Sequence, residues 1–511
     1  MKIHYIKVLI ILFIIHTNTL YAQNATINPL DSVLISTQYK AITIEHFLDS
    51  LHEKYNIHFA YDPLIIPYDS VINANYSKQN ISYILNNIFQ NHDLQFEASD
   101  KQIIISQTYR NTKITNYLTL EGNITSNEND KPLPLVNIAI IGETIGTTTN
   151  FDGYYKFLIP KKFIGDTIHF TSIGYESHDI IIPKSDSLIN VTLNTTSIKL
   201  KEIEVKYLKA SQIIENTINS IHKNYPDHPM LLTAFFRETI KQDDKYIEIS
   251  EAVLDIYKSS YLSSGDIEKA RFVKGRKHVD DEQIALARLK LAGGPSLFAS
   301  LDIVKHPDFL GLNDDVKYVY NYIGKTIERD RIVYIIEFKP LYETENIYYQ
   351  GKLHIDSESF AILSADFKMT KQTLKEGAKY LIKKNAKKIK STPIYTQYHI
   401  EYRPMGDKWI LNNIRGELKI KIIDKRNKKT KSLYNTTSEL LVTNAINGKG
   451  QKIKYSDTFK SSYVLADWIT NYDEDFWKDY NIINPEKSLS NIFKSTAVEI
   501  NVVPLREKTK P

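Results

Sequence analysis

Two stretches of this 511-residue chain carry side chains at spacings that chemistry can use. His52-Glu53-Lys54-Tyr55-Asn56 begins as the zinc helix His-Glu-x-x-His does, but Asn56 stands where the second imidazole must be. One helical face then cannot offer the ion its pair of histidines. In GTTTNFDGYYKF (Gly146 to Phe157), Asn150, Asp152 and Gly153 fall at offsets a calcium loop would use. Such a loop also needs further oxygens and a closing bidentate carboxylate. Here the chain runs straight into Tyr154, Tyr155 and Phe157. Asn150, Asp152 and Gly153 therefore read as a structural hairpin turn with positive φ at Gly153. There is no Gly-x-Ser-x-Gly elbow and no phosphate loop, and the glycines of LKLAGGPSLFAS lack a following Lys-Ser. Asp280, Asp281 and Glu282 read as the cap of a following helix. Arg237-Glu238, a charged pair inside the apolar AFFRETI, reads as an ion pair at a sheet edge or as a polar anchor in a binding cleft. These residues predict no catalytic group, no metal ligand and no cofactor.

The chain is long enough for several cores. Its net charge of +5 is small for that length, and the lysines are scattered without an aromatic-basic stripe, which excludes nucleic acid as the expected partner. Cysteine is absent, so disulfides, thiolate metal sites and a lipidated N-terminal cysteine are excluded. Lys2 and Lys7, the apolar run Val8 to Ile15 and Ala22 form the three parts of a secretory signal, with cleavage expected near Ala22–Gln23. That apolar run is too short to span a bilayer. The expected location is therefore exported, periplasmic or associated with the outer membrane, with residues 1–22 as signal peptide.

Residues 30–108 alternate helical and strand patterns. ITIEHFLDSLHEKY sets Ile44, Phe47, Leu48 and Leu51 on one helical face, and NISYILNNIFQNH repeats the period. IHFAYD and SVINANY read as strands, and LQFEAS with KQIIISQ as a hairpin, giving helix, two strands, helix, two strands. This compact α+β unit resembles the secretin and TonB short N-terminal domain, which implies a periplasmic recognition module.

Residues 117–195 are short strands separated by turn residues, the pattern of a small β-sandwich. Val136, Ile138 and Ile140 alternate, as do Tyr155 and Phe157 after the Asp-Gly turn. Gly122, the run Pro132 to Ile140, GTTTNFDGYYKF and Ile173-Gly174-Tyr175 resemble the carboxypeptidase regulatory-like domain, a transthyretin-like sandwich. The usual acid before x-Asp-Gly is Asn150 here. No histidine has Glu three residues on, so the namesake zinc enzyme is not expected.

Residues 207–460 read as an α+β domain with a long antiparallel meander from Lys317 to Ala445, preceded by strand-like AFFRETI and KYIEISEAVLDIY. Ala210–Asn224 predicts an amphipathic helix with Ile213, Ile214, Thr217, Ile218 and Ile221 inward. A second helical region, Asp281–Val304, is broken at Gly293-Gly294-Pro295. The rhythm of Tyr334 to Asp356 resembles lipoprotein-carrier-like (LolA-like) half-barrels. Residues 461–511 are a C-terminal tail whose DEDFWKDYNII resembles the ends of exported Bacteroidetes proteins. Too few strands and a charged C-terminus argue against an outer-membrane barrel.

The expected fold class is multidomain and β-rich: a small α+β domain, a transthyretin-like sandwich and a large helix-covered antiparallel sheet. The resemblances imply a non-enzymatic envelope protein at the periplasmic side of the outer membrane, binding proteins or an apolar ligand. A signalling or receptor component beside a TonB-dependent transporter is the alternative, and a hydrolase with an unrecognised site in the C-terminal sheet a third. The expected partners are envelope proteins, such as a TonB-dependent transporter or regulator, and a lipid or acyl ligand. The resemblance to carrier folds places an apolar cleft over Tyr334, Ile336, Leu353 and Ile355, against the opposing reading of a filled core.

Overall fold

The computed structural model describes residues 34–107, 117–196 and 208–489, with gaps, the longest at 280–289 and 306–317. The signal pattern at 1–22 and the acidic cap at 280–282 lie outside the described residues. The chain divides into two units, Met1–Thr112 and Lys113–Pro511.

In the first unit, helices Ile44–Tyr55 and Ile81–Ile88 pack Phe47, Leu48, Leu51, Ile84 and Leu85 into one core with Ile103 and Ile105. Each helix starts on a capping side chain: Thr43 accepts from the His46 amide and Asn80 from that of Tyr83. Asn56 adopts the left-handed conformation and ends the first helix, its amide bonded to the His52 carbonyl. Strand Leu34–Thr43 precedes this helix and pairs with Val71–Asn80. The hydrophobic pattern misses it because Ile35 is its only fully buried residue. His58–Tyr61 runs parallel to Gln102–Gln107, which pairs with Leu94–Ser99.

The second unit begins with two facing four-stranded sheets. One contains Asn137–Ile140, Gly146–Thr148, Thr167–Thr171 and His178–Ile181. The other is built on Tyr117–Ser126, paired with Tyr154–Pro160, Ser187–Leu188 and Val191–Leu193. Val136, Ile138, Tyr155, Phe157 and Phe170 fill the space between.

The rest of this unit is dominated by a ten-stranded antiparallel sheet. Its strands are β1 Met230–Gln242, β2 Lys245–Lys258, β3 Lys269–Val279, β4 Tyr318–Glu328 and β5 Arg331–Pro340, followed by β6 Tyr349–Asp356, β7 Ile362–Met369, β8 Ile389–Met405, β9 Lys408–Asp424 and β10 Thr430–Asn447. The spatial order is 3-2-1-10-9-8-7-6-5-4, two meanders joined where β1 pairs with β10. Among the described residues β3 and β4 are edges, so the sheet is open. Arg237 is therefore on a central strand and not at an edge. Nor does it pair with Glu238, because successive strand residues point to opposite faces.

Alternate residues build one apolar face: Phe236, Leu254, Ile336, Leu353, Ala365, Ile400, Ile414 and Leu440 all belong to one core. Short helices cover it. Ala210–Asn219 and Ile221–Asn224 are separate helices and not one, and they bury Ile213, Ile214, Thr217 and Ile221. Of the second helical region, Lys290–Leu291 is a strand and Gly294–Ala299 a helix. The rest of the expected helix before the break, 281–289 and 292–293, lies outside the described residues. Pro295 falls in the first turn of the helix that follows it, where a proline sacrifices no intrahelical bond. Asp302 pins the following turn to the sheet. It accepts from Tyr261 and Tyr402 at 2.9 and 2.6 Å and pairs with Lys258 at 2.8 Å.

Candidate interaction site on the ten-stranded sheet

The residues of the sequence-predicted cleft lie together on the apolar face. Ile336 is paired with Leu353, and Tyr334 with Ile355. Ile336, Leu353 and Ile355 are fully buried, and Tyr334 packs against the same core from its margin. They share one face instead of alternating between two, because directly paired residues in neighbouring strands project the same way.

The opposite face carries a row of polar side chains across all ten strands. Following the pairing register from β4 to β3, it reads Asn321, Glu337, Lys352, Asp366, His399, Arg415, Glu439, Arg237, Glu251, Arg276. Apart from Asn321 and the His399–Arg415 step, acid and base alternate, so most cross-strand neighbours are opposite charges. Arg237 Nε donates to Glu251 Oε1 at 2.7 Å, and Arg276 Nε to Glu251 Oε2 at 2.6 Å. Arg237 Nη1 lies 3.5 Å from Glu439 Oε2, whose Oε1 accepts from Arg415 at 2.6 Å. His399 Nδ1 lies 2.9 Å from Asp366 Oδ1.

Burial raises the Glu251 carboxyl, but Arg276 and Arg237 outweigh it and hold the group below its ordinary range. Burial likewise opposes the Arg237 charge, and Glu251 and Glu439 reverse that effect. Charges this deeply buried are tolerated only as mutually satisfied pairs.

Two pieces of chain cover this polar face. Trp477 packs edge-on against Phe235 with ring centroids 5.7 Å apart, and Arg276 lies over the indole at 5.4 Å. The Ile483 carbonyl accepts from Arg237 Nη2 at 2.5 Å. The described part of the C-terminal tail is thus packed onto the sheet. The other cover is the sandwich. Phe151 sits 4.0 Å from the Arg415 guanidinium, and Arg403 Nη2 donates to the Thr144 carbonyl. A Cβ at Gly146 would meet the Arg403 guanidinium, which glycine lets lie against this strand.

The turn Asn150–Gly153 belongs to this contact as well. Asn150 Oδ1 accepts from the amides of Asp152 and Tyr154 at 3.0 and 2.9 Å, and Gly153 has φ +72°. Asn150 Nδ2 reaches the Pro485 carbonyl at 3.4 Å. Asn481 clamps the adjacent strand, accepting from the Leu158 amide at 2.7 Å and donating to its carbonyl at 3.0 Å. Among the described residues no group of three or more His, Asp or Glu is placed to hold a metal ion. In the first unit, His52 Nδ1 lies 3.2 Å from the Ile57 carbonyl.

A family model described as "CarboxypepD_reg-like domain" matches residues 120–205. This stretch is a CarboxypepD_reg-like domain. Of the curated proteins, a TonB-dependent receptor P3 from Formosa agariphila is 33% identical over 86 residues, 17% of this chain. The match spans 8% of the receptor's length. Among solved structures, a domain from Vibrio parahaemolyticus described as outer membrane lipoprotein-sorting covers 48% of this chain and 96% of its own, at 10% identity and TM-score 0.24. A DUF1329 family protein from Desulfovibrio piger covers 48% and 98%, at 12% identity and TM-score 0.23. Likeness at such TM-scores carries no argument. No described helix is long and apolar enough to cross a membrane, which leaves strands untouched as a means of crossing.

Of the charge row, only Arg237 stood out in the sequence. The remaining members were masked by the strands around them. Each is a single charge at an off-core position, as in SEAVLDI, RGELK or SELLVT, and alternation alone does not say which strands are neighbours.

Proposed function

We propose that the protein is a non-enzymatic binding module of the bacterial envelope, holding an apolar or acyl ligand between the apolar face of the sheet and its helices. One observation carries this reading. The two faces of one sheet are divided in use: the charged face seats the CarboxypepD_reg-like domain, and the apolar face lies under short, separate helices. Short helices with breaks between them can move apart without unravelling a long rod. The signal pattern supports export, to the periplasm or the periplasmic side of the outer membrane. The N-terminal unit, in its resemblance to secretin and TonB short domains, would then recognise an envelope protein. The test is a fluorescent fatty-acid titration of the full chain. Saturable binding, lost in a folded Leu353→Arg variant, supports a carrier, and absence of binding leaves a recognition scaffold.

The match to a TonB-dependent receptor favours a second reading, a signalling or receptor component beside such a transporter. Affinity capture from envelope extract that returns a TonB-dependent transporter supports it. Capture that consistently returns no transporter removes it. A hydrolase screen in which activity follows the purified chain would overturn the non-enzymatic reading.

A further inference from the structure

Where the CarboxypepD_reg-like domain meets the end of β4, the contact is made by ionisable groups that ligand binding does not use. The Ile327 carbonyl accepts from the Gly174 amide at 3.1 Å, in the Ile173-Gly174-Tyr175 turn of the domain. Two residues on, Arg329 Nε donates to Thr171 Oγ1 of the same domain at 3.2 Å. Arg329 Nη2 lies 3.5 Å from Glu401 Oε1, and its Nε 3.7 Å from Glu328 Oε1. Glu401 Oε2 is satisfied by Asn412 and Asn413 at 3.2 and 2.6 Å. Glu328 sits between these contacts, 1% exposed, and its Oε2 has no hydrogen-bond partner among the described residues.

We propose that this junction is a proton-operated latch: a proton on Glu328 keeps Ile327–Arg329 seated against Thr171 and Gly174, and its loss leaves a buried, under-paired carboxylate that loosens the seat. The groups acting on Glu328 come from every neighbouring element. Arg329 lies beside it in the chain, Asp356 on β6 is held by Arg331 of β5, and His399 and Glu401 come from β8. Asp366 of β7 stands behind His399, Arg403 of β8 faces Arg329 and Glu401, and the domain contributes the uncharged Thr171.

The balance favours the neutral acid. Burial raises the Glu328 carboxyl and Glu401 adds to it, Arg329 opposes them, and the group is pushed up to about 7. A carboxyl raised in the folded state contributes stability that is full below its unfolded value of 4.5 and is lost as pH rises through about 7. For His399, burial lowers the imidazole but its bond to Asp366 outweighs this, so it too is raised and its contribution also fades with rising pH. Among the described residues His399 bonds Asp366 and makes no contact with Thr171 or Gly174, so the seat itself is firmest in mild acid through Glu328.

Hydrogen exchange of the full chain between about pH 5.5 and 8, corrected for intrinsic rates, tests the latch. Peptides covering residues 171–175 should lose protection roughly tenfold or more across that range, while core peptides of the sandwich at residues 155–159 keep theirs. Glu328→Gln, neutral at every pH, should keep the seat protected at pH 8. A flat wild-type profile, or a Glu328→Gln variant with the wild-type slope, overturns the proposal. So does parallel loss of protection at 155–159, which would mean global unfolding. Should Glu328→Gln not fold, Glu328→Met makes the same demand, and a retained slope there overturns it equally.

Discussion

Arg237 shows how a single residue can hold one face of the sheet together. It is 1% exposed and lies between Glu251 and Glu439 on the neighbouring strands. Arg237→Ala would leave Glu251 to Arg276 alone and Glu439 to Arg415 alone, with one buried oxygen of each losing its partner, a loss of about 3 kcal/mol by chemical denaturation. Arg237→Lys keeps the charge but not the planar fork, so it should lose less while failing to restore the wild-type midpoint. The pH dependence has a definite sign. Glu251 is held below its ordinary range, so its contribution is present above the unfolded value of 4.5 and is lost as pH falls through the lowered one. In Arg237→Ala the Glu251 carboxyl rises toward its unfolded value, so less stability should be lost on acidification below about pH 4.5 than in the wild type, and an unchanged slope of stability against pH there would contradict the pairing. At Gly153 the demand is conformational. Its φ of +72° and the Ile124 carbonyl, 2.6 Å from where a Cβ would sit, both reject a branched side chain. Gly153→Val should destabilise the sandwich by roughly 2 kcal/mol or more, read as a lower melting temperature.

Among the elements, the C-terminal segment around Asn481 does the work of an extra strand. Its amide bonds both backbone groups of Leu158, as a neighbouring strand would, and so ties the sandwich to chain that also covers Arg237 and Phe235. Asn481→Ala should cost about 1–2 kcal/mol and speed exchange of the Leu158 amide specifically. Equal acceleration throughout the sandwich would argue against a local clamp. The strands themselves are legible because residues such as Tyr334, Ile336, Leu353 and Ile355 carry the alternation of a half-buried sheet. The β1–β10 pairing was not legible, since alternation reports which face a residue occupies and says nothing of its neighbour. Ala210–Asn224 divides at Ser220 for a related reason. Ser220 punctuates a segment whose periodicity runs on regardless. The charge row needed both the register and the pairing order, so its members other than Arg237 passed as ordinary polar positions.

On the scale of the whole second unit, one sheet separates two kinds of surface. A face of mostly alternating charges receives the CarboxypepD_reg-like domain and the C-terminal segment, and a face of aliphatic and aromatic side chains lies beneath short helices. The sandwich is joined to the sheet through Thr144, Phe151 and Thr171, and to the C-terminal segment through Leu158. If the apolar face takes an apolar ligand, titrating the full chain with a fluorescent fatty acid and competing with the unlabelled acid gives saturable uptake that the competitor displaces completely. Uptake that rises without saturation, or that the competitor leaves unchanged, would contradict it.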